Sequence, residues 1–345
     1  MARPLRIGDA AFSSIEGTVN RLATFLIGVV VAAFGWFALE RIGLERLKDF
    51  RLNFGGGSRT QTLTDDDLIG ASAPPVQTGE TIRIASFNVQ ALGTTKSRKP
   101  HVMEVLARIV REFDIVAVQE IRSTDQDLIP NFVDLINRAD RFYDYVIGPR
   151  VGRNTDLEQY AFLFDSATVE VDRSQLYTVA DPDDLLYREP LVAWFRVRGP
   201  PSDQAFTFTL VNIHTDLDES QRELDSLADV YRVVRDDGRQ EDDVIVLGTL
   251  NADDRNLGRL GNIPGMTWAI SSTPTDTRGT AQLDNIIFHS KATSEFTGRS
   301  GVFDFLRRYN LTLEEALEVS DHLPVWAEFY VHEGGQPGRV ATARR

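Results

Sequence analysis

The chain contains many short apolar runs, and their spacing constrains the fold more than any other feature. Each run is enriched in Val, Ile, Phe and Tyr, as is typical of β-strands. Residues 82–87 alternate between two faces, whereas Val244–Leu247 is continuous, as expected of a buried strand. In chain order, the runs are TIRIASFNV, DIVAVQEI, YDYVIG, QYAFLF, LVAWFRVR, FTFTLVNIHT, DVIVLGTL, LDNIIF and LPVWAEFYV.

Two stretches between these runs have helical periodicity. In residues 102–113 and 224–234, the apolar side chains fall on one face of a helix. Many strands with interspersed helices indicate two packed β-sheets with helices outside them. The two helical faces consist of Val102, Val105, Leu106, Ile109 and Phe113, and of Leu224, Leu227, Val230, Tyr231 and Val234.

The N-terminal segment, residues 1–54, differs from the rest of the chain. Residues 22–39 (LATFLIGVVVAAFGWFAL) carry no charge, and this length lies at the lower end of the roughly 17–25 residues that span a bilayer. We predict a transmembrane helix here and a single-pass membrane anchor. A buried or oligomerising helix is the alternative, because Gly28, Ala32 and Gly35 are small residues spaced by about one turn. Basic residues flank both ends, which leaves the side of the membrane undetermined.

The remaining segments follow from composition. Residues 55–80 are rich in Gly, Ser, Thr, Asp and Pro, which predicts a flexible linker. Residues 81–332 hold the apolar runs and form the predicted folded domain. Residues 333–345 (EGGQPGRVATARR) are predicted to be a flexible tail with a basic end.

Charge and cysteine content exclude several classes of function. The chain of 345 residues contains no cysteine, which excludes disulfides, thiolate metal sites and cysteine nucleophiles. Its net charge of −14 provides no bulk attraction to nucleic acid. A polyanionic substrate would therefore need local arginines or lysines, or a bound divalent metal, to offset the repulsion.

Polar residues follow the ends of several apolar runs, where side chains leave a core for a cleft. Converging carboxylates suit Mg²⁺, and histidines paired with carboxylates suit proton transfer near neutral pH. A serine-hydrolase triad is disfavoured because the chain has no G-x-S-x-G elbow. The polar residues are Asn88, Glu120, His214, Asn251, Asp284 and the pair Asp321-His322.

The order of these motifs is similar to that of the endonuclease/exonuclease/phosphatase superfamily. The motifs are FN, QE, NIH, G-x-x-N, LDNI and SDHLP, which together span most of residues 81–331. Residues 151–165, 187–197 and 214–234 resemble deoxyribonuclease I in particular. The resemblance implies an α+β fold, a four-layer α/β/β/α sandwich with its active site at one edge of the packed sheets. It also implies a metal-dependent phosphodiester hydrolase, specifically an endonuclease acting on DNA.

The resemblance assigns roles residue by residue. It implies Mg²⁺ as the cofactor, with Mn²⁺ as an alternative, and leaves Ca²⁺ open at the loop Asp276–Thr280. His214 would be oriented by Glu158 and His322 by Asp284. The implied catalytic residues are His214, His322, Glu158, Asp284 and Asn251; the substrate contacts are Arg122, Arg188 and Asn251, with Arg153 a weaker candidate; and the metal ligands are Glu120, Asn88 and Asp321.

The sequence departs from the family at two positions. Thr249 stands where the family motif G-D-F-N has a catalytic aspartate, and Asp156 replaces a tyrosine that deoxyribonuclease I lays against DNA. These departures keep open a weak or inactive relative that binds nucleic acid, phospholipid headgroups or a protein. A phosphodiesterase or phosphatase for a non-nucleic-acid substrate is a further alternative. No protein partner is indicated.

Overall fold

Two β-sheets of seven strands each form the centre of the protein in a computed structural model, which describes residues 76 and 79–335. The strands are β1 (Thr81–Leu92), β2 (Ile115–Ile121), β3 (Tyr143–Ile147), β4 (Val151–Arg153), β5 (Asp156–Asp165), β6 (Val169–Val171), β7 (Tyr177–Thr178), β8 (Leu191–Val197), β9 (Thr207–His214), β10 (Val244–Thr249), β11 (Met266–Trp268), β12 (Asp284–His289), β13 (Phe296–Val302) and β14 (Val325–Tyr330). The first sheet has the order β13-β14-β1-β2-β5-β3, with β4 on β5. The second has the order β11-β12-β10-β9-β8-β6, with β7 on β8.

Helices connect the strands and cover the outer faces. They are α1 (Thr94–Ser97), α2 (Pro100–Val110), α3 (Leu128–Asn137), α4 (Ser220–Arg235), α5 (Gly258–Gly261), α6 (Phe305–Arg308) and α7 (Leu313–Val319). Helix α2 joins the parallel pair β1 and β2, and α4 joins the parallel pair β9 and β10. Pro100 at the start of α2 suits the first turn, where its missing N–H would have no partner.

Three apolar clusters divide the domain into layers. One lies between the sheets and includes Phe162, Phe195, Phe208 and Phe329. A second joins α2 and α3 to the outer face of the first sheet, and a third joins α4 to the outer face of the second sheet. The arrangement is an α+β sandwich of helices, sheet, sheet and helices, as the sequence predicts.

The inner faces of the strands change from apolar to polar along their length. In β1, Ile82 and Ile84 lie in the intersheet core, whereas Asn88, on the same face, is a buried amide. Strand register then aligns polar residues across the second sheet: Thr249 lies opposite His214 on one side and opposite Asp284 on the other. One edge of the sandwich is therefore lined by polar side chains.

The structure differs from the sequence predictions at the periphery. All the predicted apolar runs form strands, but β4, β6, β7, β11 and β13 were not predicted, because they are short or, like β13 (FTGRSGV), glycine-containing and partly exposed. Residues 333–335 of the predicted flexible tail are hydrogen-bonded: Glu333 Oε2 accepts from Thr207 N, and Gly334 N donates to Glu295.

Three predicted segments lie outside the described residues: the transmembrane helix at residues 22–39, the linker apart from its last residues, and the rest of the tail. These assignments stay predictions. Among residues 79–335, no helix combines the length and the apolar character that crossing a membrane requires.

We expect Gly248→Ala to destabilise the domain strongly. A β-carbon at position 248 would lie 1.9 Å from the carbonyl oxygen of Ile213, where β9 and β10 approach closely. The free energy of unfolding in urea should fall by more than about 3 kcal/mol, because strain and overpacking add. Gly238→Ala is the control, since Gly238 has a φ of +92° but nothing within 4 Å of the added carbon; its cost should be about 1 kcal/mol. Equal losses in both variants would contradict the steric explanation.

Candidate active site

Glu120 lies at the centre of the polar edge, on a distorted part of the first sheet. The register of β1 with β2 shifts between Asn88 and Leu92, and Glu120 itself has a φ of 63°. Its carboxylate accepts hydrogen bonds from Asn88 Nδ2 at 3.2 Å and from Ala91 N at 3.0 Å. A left-handed conformation is strained for a non-glycine residue and is often associated with functional sites. Here it turns the Glu120 carboxylate towards the polar edge.

Lys96 fixes the distorted segment from behind. Its ammonium group donates to the carbonyl oxygens of Val89 at 2.8 Å and Val319 at 2.9 Å, and also to that of Gln90. Burial lowers the pKa of Lys96 to about 8, although Asp321 and Glu120 act in the opposite direction. The group therefore braces backbone rather than pointing to solvent.

His214 forms the first histidine–carboxylate pair. Its Nδ1 donates to the buried carboxylate of Glu158, at 3.0 and 3.1 Å from the two oxygens. Its Nε2 lies 4.0 Å from Glu120 Oε1. Burial alone would raise the pKa of Glu158, but His214, Arg188 and Arg122 together hold it below its ordinary value. The imidazole is thus oriented with Nε2 towards the cleft.

His322 forms the second pair, from the opposite side of the site. Its Nδ1 lies 2.9 Å from Asp284 Oδ2, and its Nε2 lies 3.9 Å from Asp321 Oδ1. Burial lowers the pKa of His322, but Asp284, with further help from Asp321 and Glu120, raises it to about 9. His322 is therefore an imidazolium at neutral pH in this arrangement.

A hydrogen-bond chain joins Asn88, beside Glu120, to the second pair. Asn88 Nδ2 donates to Thr249 Oγ1 at 3.2 Å, and that hydroxyl donates to Asp284 Oδ1 at 2.8 Å. Thr249 is fully buried. The threonine that replaces the family aspartate is thus a neutral link between Asn88 and Asp284. An aspartate in its place would put a second carboxylate directly against Asp284.

The predicted ligand residues suit a hard divalent cation. Asp321 Oδ1 is buried and accepts no hydrogen bond from residues 79–335, so it has free lone pairs towards that part of the chain. Glu120 contributes a second carboxylate, while the Asn88 amide supports Glu120 through its nitrogen. Groups of three closely spaced acidic or imidazole ligands occur elsewhere in residues 79–335, but not here. Two carboxylates would suffice for a hard divalent cation such as Mg²⁺, which keeps several waters and usually takes only one or two carboxylates.

The predicted arginine contacts differ in accessibility. Arg122 is one-third exposed; its Nη1 lies 2.7 Å from Asp156 Oδ1 and its Nε lies 3.3 Å from Glu120 Oε2. Arg188 is buried, with Nη2 bonded to Asp156 and Nε 3.0 Å from Glu158 Oε2. Arg122 can reach a ligand in the cleft, whereas Arg188 mainly neutralises its two carboxylate neighbours. The charge of Asp156 is shared between these two arginines.

The other predicted contacts lie on either side of the centre. Asn251, with a φ of 50°, donates from Nδ2 to Thr215 O at 2.7 Å and borders a cleft of about 780 Å³. Arg255 also lines this cleft and forms no ion pair within residues 79–335. Arg153 is farther out, with its guanidinium bonded to Asp184 and Glu219. The roles assigned to these residues stay predictions.

The loop considered for Ca²⁺ satisfies its carboxylate internally. Asp276 accepts hydrogen bonds from Thr280 N, Thr280 Oγ1 and Ala281 N at 2.6–2.7 Å. Burial would raise the pKa of Asp276, but these bonds lower it overall. The carboxylate closes the loop, and Ca²⁺ binding here stays an open prediction.

Sequence reasoning missed two supporting residues. Thr275 Oγ1 donates to Asp284 Oδ2 at 2.7 Å, and Lys96 braces the segment after Asn88. Neither belongs to a motif, because each is brought to the site only by tertiary folding. A threonine or lysine in a loop gives no signal in a single sequence.

The His322–Asp284 pair should make stability depend on pH. The folded pKa of His322, about 9, exceeds the ordinary value of 6.5, so the stabilisation is complete below pH 6.5 and is lost as pH rises through about 9. The difference corresponds to about 3 kcal/mol. The measurement is urea unfolding of wild type and His322→Gln in EDTA. The difference between their free energies of unfolding should shrink as pH rises from 6.5 to about 9. His101→Gln, at an exposed histidine, should retain the wild-type dependence. Parallel curves for wild type and His322→Gln would contradict the role of the pair.

Comparison with known proteins agrees with this geometry. Residues 85–322 match the Endonuclease/Exonuclease/phosphatase family. Deoxyribonuclease gamma of Rattus norvegicus is 35% identical over 262 residues, covering 71% of this chain and 83% of the relative. Deoxyribonuclease-1-like 1 of Homo sapiens is 33% identical over 261 residues, covering 72% and 84%.

Solved structures share the fold at lower identity. The human Nocturnin catalytic domain with bound sulfate aligns with a TM-score of 0.51 and 15% identity, covering 73% of this chain and 94% of that one. D. rerio TDP2 complexed with single strand DNA product aligns with a TM-score of 0.50 and 16% identity, covering 73% and 100%. The family match and the deoxyribonuclease relatives confirm the resemblance drawn from the sequence: the chain belongs to the endonuclease/exonuclease/phosphatase family and is a hydrolytic enzyme.

Proposed function

We propose that this enzyme is a metal-dependent endonuclease that hydrolyses phosphodiester bonds of DNA. The observation that carries the proposal is the pair of imidazoles whose Nδ1 atoms are tied to carboxylates while their Nε2 atoms lie near Glu120 and Asp321. Relatives named deoxyribonucleases, aligned over more than four-fifths of their own length, support DNA as the substrate.

The two histidine pairs suit different steps because their carboxylates have different neighbours. Glu158 shares its charge with Arg188 and Arg122, whereas Asp284 is bonded to the neutral hydroxyls of Thr249 and Thr275. No arginine therefore offsets the negative charge of Asp284 within residues 79–335, and this charge stabilises the protonated form of His322. We assign His322 as the donor and His214 as the base.

In the proposed reaction, His214 Nε2 accepts a proton from the attacking water. His322 Nε2 donates a proton to the leaving 3′-oxygen. Neither the leaving oxygen nor the attacking oxygen then develops a full charge. Attack and departure lie on opposite sides of phosphorus. A Mg²⁺ or Mn²⁺ ion held by Glu120 and Asp321 would supply positive charge for the phosphate oxygens. Arg122, and Asn251 across the site, would orient the phosphate.

Hydrolysis of supercoiled plasmid by the purified 345-residue chain tests the proposal. With Mg²⁺ or Mn²⁺ we expect nicked circles, and with EDTA no product. Glu120→Gln and His322→Gln should each lower the rate by at least about a hundredfold, since each removes a charge needed in the transition state. Because a closed circular plasmid has no free ends, nicking it would establish endonuclease rather than exonuclease action.

Two control variants make the same chemical changes away from the site. Glu314→Gln and His101→Gln alter exposed residues of the helical layer and should keep the wild-type rate. Equal nicking by wild type and both active-site variants would identify a contaminating nuclease. No hydrolysis of DNA, RNA or a simple phosphodiester by wild type would overturn the proposal and favour the binding-module alternative.

The buried hydroxyl of Thr249 should contribute to the rate by holding Asp284. Thr249→Val keeps the shape but removes both hydrogen bonds of the chain from Asn88 to Asp284. We expect a rate loss of roughly tenfold, equivalent to about one hydrogen bond. Thr249→Ser retains the hydroxyl and should lose less activity than Thr249→Val in the same plasmid assay. Identical rates in the two variants would show that the hydroxyl is not used.

A further inference from the structure

A second group of acidic residues lies at the far end of the sandwich. Ligand atoms of Asp243, Glu295 and Glu333 are within 4.8 Å of one another, and Glu241 and Asp242 form an adjoining group with Asp243. Asp243 immediately precedes β10, whereas Thr249 ends the same strand in the active site. One strand of this length separates the two sites by about 20 Å.

These carboxylates have no cationic partner within residues 79–335. Asp243 and Glu295 are each 1% exposed, yet neither forms an ion pair with a described lysine, arginine or histidine. Asp243 Oδ1, Glu295 Oε2 and the hydroxyl of Thr293 are buried and make no hydrogen bond to any part of the chain that the structure describes. Burying like charges without compensation is costly, so the group lacks a positive component.

Several other carboxylate oxygens of these acidic residues are held in place. Glu295 Oε1 accepts from Gly334 N, and Glu333 Oε2 accepts from Thr207 N at 3.2 Å. Glu241 Oε1 accepts from Asp243 N at 3.1 Å, and its Oε2 accepts from Trp194 Nε1 at 2.9 Å. These bonds orient the carboxylates of Glu241, Glu295 and Glu333. Such preorganisation is expected of a ligand cage rather than of freely solvated side chains.

Electrostatics agree with this geometry. Burial, and then the charge of Glu295, raise the pKa of Asp243 to about 9, and burial also raises the pKa of Glu295 and of Glu333. A cation between these carboxylates would oppose that rise. Hydrogen bonds from backbone N–H groups already favour the ionised form of Glu295 and Glu333.

We infer that Asp243, Glu295 and Glu333 bind a divalent cation, with Ca²⁺ as the best match, at a site separate from the catalytic one. Carboxylates from several chain segments suit the flexible shell of six to eight oxygens that Ca²⁺ takes. Asp243 directly precedes β10 of the second sheet, Glu295 directly precedes β13 of the first, and Glu333 follows β14 of the first. The ion would therefore clamp the two sheets at the end remote from catalysis. This site does not depend on the proposed nuclease function.

Terbium luminescence and thermal unfolding test the inference on the full chain. Tb³⁺ replaces Ca²⁺ at oxygen sites, and the indole of Trp194, hydrogen-bonded to Glu241, is placed to sensitise it. In a Glu120→Gln background, which weakens the catalytic metal site, we expect Tb³⁺ emission that Ca²⁺ competes away. Saturating Ca²⁺ should raise Tm by about 5 °C.

Variants assign both signals to the cluster. Asp243→Asn and Glu333→Gln should each weaken Ca²⁺ binding at least about tenfold, whereas Glu314→Gln should not. Glu333 is exposed, so its variant remains informative if Asp243→Asn fails to fold. Trp194→Phe should lower the emission but keep the Tm shift. Absence of any Ca²⁺-dependent shift or emission, or a shift unchanged in Glu333→Gln, would overturn the inference and leave a proton-sharing cluster.

Discussion

The face-to-face contact of the two sheets determines where the active site lies. Phenylalanine rings fill most of the space between them, but the contact ends in a buried hydrogen bond from Gln119 Nε2 to Asn212 Oδ1, at 2.7 Å. Ser86 joins the same group, accepting from Gln119 at 3.0 Å. These amides replace apolar packing with directional bonds, so they fix the relative position of the sheets beneath the site. Beyond them, the same inner faces carry the titratable residues.

This arrangement explains how side chains from distant parts of the chain meet. Side chains of a regular strand alternate between its two faces. The next side chain on the inner face after Gln119 or Asn212 therefore lies in the cleft. His214 follows regularly, two positions after Asn212. Glu120 instead follows Gln119 directly, and reaches the cleft only because its backbone adopts a φ of 63°. The irregular strand of the first sheet thus brings a carboxylate to face an imidazole on a regular strand of the second.

Much of the fold was predictable, because the central strands are buried on both faces and therefore appear in the sequence as apolar runs. The roles of His214, Asp284 and Glu158 were predicted from the family resemblance. In the structure, the Glu158 carboxylate lies 3.0–3.1 Å from His214 Nδ1 and that of Asp284 lies 2.9 Å from His322 Nδ1, and the catalytic roles themselves stay predictions. Edge strands such as β13 could not be predicted, since solvent exposure relaxes the demand for apolar residues. Nor could the burial of Arg188, because no local pattern distinguishes an arginine that neutralises buried carboxylates from one that faces a ligand.

The charge balance at the mouth of the site limits how a polyanion can bind. Arg122 is the most accessible of the predicted phosphate contacts at the centre, but Asp156 already occupies its Nη1 at 2.7 Å. A phosphate must therefore share or displace that carboxylate, and Arg188, which also holds Asp156, opposes its departure. With a net charge of −14, the surface adds no general attraction that could offset this competition. Under the proposed function, the attraction for a nucleic acid would come chiefly from the bound cation and from cationic groups such as Arg255, which forms no ion pair within residues 79–335. Substrate affinity and metal affinity would then be coupled at the same site.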